Sequence, residues 1–245
     1  MPNAVVDMQG ARSARSETDA ATGDELGYQA YARIKEDIVR CILPPGANLT
    51  EGRLTDRYGF GKGPIRSALL RLRHDGLVQS ERRKGYKVTV VTFDDVQDVF
   101  HLRLILEPEA ARLAAGRLSE DDVRALRAAC EVSLRPDDRD SDAIFLRSNK
   151  SFHVGIAEAS GNARLAYLIS NLLDDAERIL HLGLAKEPRS LDFQSEHKEL
   201  LHLLMTNQAD RAAETVRRQI EGGLSMVMRS LLSGDSDGAT TIRAP

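Results

Sequence analysis

The sequence predicts a mainly α protein in two parts: a small N-terminal unit of short helices ending in a β-hairpin, then a larger all-α antiparallel helical bundle. Three observations carry this. The chain has 245 residues, 42% hydrophobic and 29% charged, enough for a small domain joined to a medium one. Apolar residues recur at three- and four-residue spacing almost throughout, and change to period two only after Gly76. The net charge of −3 conceals an asymmetry: residues 27–93 carry 13 Lys+Arg against 6 Asp+Glu, and residues 94–232 carry 18 against 24. A basic unit followed by an acidic one points the first toward a polyanion. Residues 1–26 and 233–245 lack apolar periodicity and are expected to be disordered tails.

In the basic unit (27–93), a first helix is expected from Tyr28 to Cys41, with Ala30, Ile34, Ile38 and Ile42 on one face and Pro44-Pro45-Gly46 as its stop. Thr50 is a suitable N-cap for a short helix through Tyr58, which Gly59 ends. The next begins at once, because Gly63-Pro64 puts a proline in its first turn and Ile65, Ala68, Leu69 and Leu72 form an apolar face. Two short helices joined by a tight turn are the pattern of a helix-turn-helix. On the second, Lys62, Arg66 and Arg73 fall within about 40° of one another on the rim of the buried face, while Gly63, Ser67 and Leu70 are expected to face outward. Basic residues so placed can reach phosphates or guanine edges in a major groove. Leu77–Ser80 and Tyr86–Val90 alternate as strands around the basic tip Arg82-Arg83-Lys84-Gly85, completing a winged helix-turn-helix.

The stretch Leu49-Thr50-Glu51, Gly59–Leu69, Leu72, Gly76-Leu77-Val78 and Arg82–Tyr86 resembles the DNA-binding unit of GntR-type bacterial transcription regulators. The resemblance implies that Lys62 and Arg66 contact double-stranded operator DNA and that Gly85 approaches the minor groove. Arg53, Arg57, Gly63, Ser67, Arg82, Arg83 and Lys84 complete the expected DNA-binding set. Gly61, Gly63, Gly52 and Ser67 depart from the common pattern, which bears on the operator sequence.

Six helices are expected in the acidic part (94–232), near 94–115, 119–133, 142–159, 163–184, 191–206 and 209–232, punctuated by Gly116, Ser119, Gly161-Asn162 and Pro188. Phe100–Arg103 with Glu107, Asn149 with Phe152-His153, Ser160-Gly161-Asn162 and Ser195-Glu196-His197 are similar to the ligand domain of the FadR subfamily. That resemblance implies an effector cavity, and in many members a divalent metal such as zinc, nickel or manganese held by Asp, His, His and His. Here Asn149 stands for the Asp and Gln219 for the last His, leaving His153 and His197. Neutral amides are poor substitutes as transition-metal ligands. No metal is therefore assigned with certainty, and the metal site is the lesser reading. The preferred effector is a small organic acid met by Arg103, Asn149, His153, His197 and Gln219, since a protected guanidinium favours a carboxylate. The alternative for Arg103 is an intrahelical pair with Glu107.

The expected protein is a ligand-responsive repressor, not an enzyme, acting as a homodimer on a palindromic operator. No membrane segment or secretion signal is evident, which places it in the cytoplasm. The alternatives are a helical metal-dependent hydrolase using His153 and His197 with Glu158 or Glu196, and an architectural DNA-binding protein without effector. No HExxH, nucleophile motif or glycine-rich phosphate loop supports an enzyme. The two cysteines, Cys41 and Cys130, are expected to be buried thiols.

Overall fold

The computed structural model describes residues 9–132, 139–184, 193–232 and 242–243. The chain forms two compact units that divide between Thr89 and Val90, with Val39–Cys41 grouped with the second.

The first unit runs α1 (Gln9–Val39), β1 (Asn48–Leu49), α2 (Glu51–Tyr58), α3 (Lys62–His74), β2 (Val78–Glu81) and β3 (Gly85–Val88). Thr50 accepts a hydrogen bond from Arg53 N at the start of α2, and Gly59 closes that helix at φ 74°, where a side chain would be strained. Gly61 begins α3 with no capping side chain. The strands form an antiparallel sheet in the order β1, β3, β2, with Val78 opposite Val88 and Glu81 opposite Gly85. Ala30, Ile34, Ile38, Leu54, Ile65, Leu69, Leu72, Leu77 and Val88 make its core, so the expected apolar faces are the buried ones.

Some expectations change. α1 starts at Gln9, so helix replaces the expected tail from that residue on. It stops at Val39 rather than Cys41, because Cys41 turns the chain at φ 54°. Ile42 therefore leaves the helical face and is 44% exposed. The two-residue strand β1 was not expected. Residues 1–8 of the N-terminal tail lie outside the described residues.

The second unit starts with β4 (Val91–Thr92) and continues as α4 (Phe93–Ala114), α5 (Glu120–Cys130), α6 (Arg139–Ala159), α7 (Ala163–Leu184), α8 (Phe193–Met205) and α9 (Ala209–Leu232). Capping boxes open α4 and α5: Thr92 and Asp95 exchange bonds at one, Ser119 and Asp122 at the other. α4 packs most extensively on α9, α6 on α7 and α5, and α8 on α9 and α5. Their amphipathic faces meet in a core that includes Phe100, Leu126, Phe152, Ile179, Leu200, Leu204 and Ile220. Ile242–Arg243 pair in parallel with β4, a strand inside the expected tail; the rest of 233–245 lies outside the described residues. Cys130 is buried and Cys41 half-buried, both as free thiols.

Candidate functional sites

In the first unit α3 presents Lys62, Gly63 and Arg66 to solvent. Arg66 is held by a bidentate pair with Glu51 of α2, Nε to Oε1 at 3.0 Å and a terminal nitrogen to Oε2 at 2.9 Å. The Arg66 hydrogen bond holds the Glu51 carboxyl below its ordinary value, so the pair is charged at neutral pH. This fork orients the guanidinium while leaving 62% of its side chain exposed. Arg53, Arg82, Arg83 and Lys84 are also exposed, the last three at the hairpin tip.

Two further residues of the expected DNA-binding set make contacts within the unit. Arg57 donates to Asp37 of α1 at 2.9 Å, and Tyr58 donates to the same carboxylate oxygen at 2.6 Å, so Arg57 ties α2 to α1. Ser67 does not face outward: it is half-buried, and its Oγ lies 3.1 Å from where a Cβ would stand on Gly27 of α1. α1 crosses α3 at this point, and a side chain at Gly27 would crowd Ser67. Gly85 has φ 89°, and a Cβ on it would stand 2.6 Å from the Leu49 carbonyl oxygen. Sheet packing against β1 thus demands glycine there independently of any groove.

In the second unit a cavity lies among α4, α6, α7, α8 and α9. All five expected effector residues line it: Arg103, Asn149, His153, His197 and Gln219. Phe145, Leu146, Leu180, Gly223 and Met226 supply the rest of the wall and were not expected there. The repeat Gln219, Gly223, Met226 at four and three residues is the signal that could have found part of it.

Glu107 is the residue sequence reasoning left out of the site. It is 3% exposed and accepts from Arg103 Nε at 2.6 Å, so the intrahelical pair forms and Arg103 lines the cavity as well. His153 Nδ1 stands 2.8 Å from Glu107 Oε2, an ion-pair distance without hydrogen-bond alignment. Burial alone would raise the Glu107 pKa, but the neighbouring Arg103 and His153 charges and the Arg103 hydrogen bond outweigh it and hold it at about 2. His197 stacks on Phe152 at 4.2 Å between ring centroids, edge-on to His153 at 5.5 Å. Burial, helped by the charge of His153, lowers the His197 pKa to about 3, so this imidazole is neutral.

The donor set does not fit a tightly held divalent metal. It offers two imidazoles and two neutral amides, with the one nearby carboxylate engaged by Arg103. Among the described residues no three His, Cys, Asp or Glu side chains converge to hold an ion. Neither carboxylate of the hydrolase reading, Glu158 or Glu196, is among the residues that line the cavity.

A winged helix-turn-helix followed by a cavity-bearing helical bundle defines a class of DNA-binding transcription regulator. The model of bacterial regulatory proteins of the gntR family matches residues 26–88, and that of the FCD domain matches residues 98–222. The chain belongs to the gntR family and carries an FCD domain. It is 26% identical over 214 residues to the transcriptional repressor GlaR of Escherichia coli, covering 82% of this chain and 95% of that protein. It is 28% identical over 203 residues to the regulator BphR of Paraburkholderia xenovorans, covering 80% and 83%. The E. coli structure of McbR/YncC shares the fold with a TM-score of 0.73 at 20% identity, over 84% of this chain and 98% of that one. These are domains of regulators, not of enzymes. No helix among the described residues is long and apolar enough to cross a membrane.

Proposed function

We propose that the protein is a repressor that binds a palindromic operator in the cytoplasm as a homodimer and is released by a small organic acid. The observation that carries the effector half is the gathering of Arg103, Asn149, His153, His197 and Gln219 around one cavity. Arg103 spends only Nε on Glu107, and its terminal nitrogens carry no other hydrogen bond among the described residues. They can meet a carboxylate side by side. In this reading residues 27–93 are the DNA-binding domain, 94–232 the effector and dimerisation domain, and His153 and His197 are ligand contacts rather than metal ligands.

On the DNA side, Lys62 and Arg66 serve α3, and Arg82, Arg83, Lys84 and Gly85 serve the wing. Arg53 is a phosphate contact beside them. The same acid must favour the DNA-incompetent arrangement, because equal affinity for both would shift nothing. Dimerisation is supported by Leu102 and Ile105 on α4 and Tyr167 and Leu168 on α7, which are 48–69% exposed apolar side chains.

The test is binding to the protein's own upstream DNA against scrambled DNA at physiological salt. Selective binding is expected, weakening steeply as salt rises because the basic residues displace counterions. Arg66→Ala should weaken it about ten- to a hundredfold and relax selectivity at one base pair. Equal affinity for scrambled DNA overturns the reading. An operator affinity that no organic acid changes would favour the effector-free architectural protein.

A further inference from the structure

Three buried polar atoms on two residues that line the cavity have no hydrogen-bond partner among the described residues: Nε2 and Oε1 of Gln219 and Nε2 of His197. Gln219 is 6% exposed and His197 is 3% exposed, and both side chains line the same cavity. Buried polar groups are nearly always paired, because leaving one unpaired forfeits its hydration with nothing in return. The unpaired set includes an N–H donor and a carbonyl acceptor on one planar amide, plus an imidazole nitrogen that can serve in either sense. The matching chemistry is another planar group with an adjacent N–H and C=O. A carboxylate, which only accepts, would leave Gln219 Oε1 facing an oxygen.

The charge of the wall points the same way. Among the described residues that line the cavity Arg103 alone is permanently charged, and Glu107 already faces it at 2.6 Å. One carboxylate can share its terminal nitrogens. A second would be buried without a cation, which is costly. Phe145, Leu146, Leu180 and Met226 offer only apolar surface to the rest of a ligand.

We propose that the effector is a monocarboxylic acid that also carries a carboxamide-type group, the carboxylate on Arg103 and the amide on Gln219 and His197. This rests on the reading of the cavity as the effector site, and it adds the chemistry that decides among acids.

Calorimetric titration of the full-length protein with three acids of one length tests it. Succinamate ends in a carboxamide, levulinate replaces the amide nitrogen by a methyl group, and succinate ends in a second carboxylate. Succinamate is expected to bind at least about tenfold more tightly than either, the loss that one unmatched buried hydrogen bond produces. Gln219→Met, close in volume, should bring succinamate down to the affinity of levulinate without lowering the Tm. Levulinate or succinate binding as tightly as succinamate overturns the proposal, as does a preference that survives Gln219→Met. If levulinate or succinate binds equally well and Arg103→Met abolishes that binding, the effector site stands and only the amide inference falls. If none of the three binds at millimolar concentration, both fall.

Discussion

Gly85 and His197 show how single residues are fixed by what surrounds them. At Gly85 the positive φ and the Leu49 carbonyl each exclude a side chain. Gly85→Ala is expected to destabilise the first unit by about 1–3 kcal/mol, and chemical denaturation of the full chain followed by circular dichroism reads the change. An unchanged midpoint would mean that the hairpin shifts freely away from β1. At His197 burial sets the chemistry. Its pKa falls to about 3 in the folded protein from an ordinary 6.5, so below pH 6.5 the unfolded chain binds a proton that the folded chain refuses. Stability is then full above pH 6.5 and is lost as pH falls toward 3, with a slope of up to about 1.4 kcal/mol per pH unit. Glu107, held at about 2, adds loss in the same direction below its ordinary 4.5. His197→Phe should flatten the fall between pH 6 and 4.5 in denaturation midpoints; an unaltered profile assigns the dependence to other groups.

The elements were legible in proportion to how many turns their pattern spans. Of the six bundle helices, the four expected to start near 94, 119, 163 and 209 begin within about a residue of those positions, at Phe93, Glu120, Ala163 and Ala209. Two-residue strands such as β1 and β4 carry no period, and their pairing depends on a partner far along the chain, so nothing local announces them. The site divides in the same way. Arg103, Asn149, His153, His197 and Gln219 were legible as a set only through resemblance, because four different helices contribute them. Glu107 was visible at i+4 from Arg103 but was read as a competitor for that arginine rather than as part of the cavity's charge system. Ser67 is half-buried rather than outward-facing because α1 crosses α3 there, which the periodicity of α3 alone does not reveal. Since α4 carries both Arg103 and Glu107, its first turn matters to the site. Thr92→Ala removes one side of its capping box and should cost about 1 kcal/mol of stability in thermal or urea unfolding. A cost near zero would show that Asp95 caps the helix by itself.

For the whole molecule, the exposed apolar residues Leu102, Ile105, Tyr167 and Leu168 need a partner if the protein reads a two-fold operator. Tyr167→Glu would place a charge among them. The expected outcome is a monomer in sedimentation velocity, with operator affinity reduced by well over tenfold because two half-sites no longer bind as one. A dimer that survives the substitution would move the interface elsewhere.

The unpaired atoms of Gln219 and His197 also bear on how such a protein can evolve. With no partner among the described residues each atom costs stability, so Gln219→Leu is expected to raise the Tm while abolishing the effector response proposed above. Selection for heat resistance alone would therefore drift toward variants that are sturdier and deaf, still gripping their operator when the signal arrives.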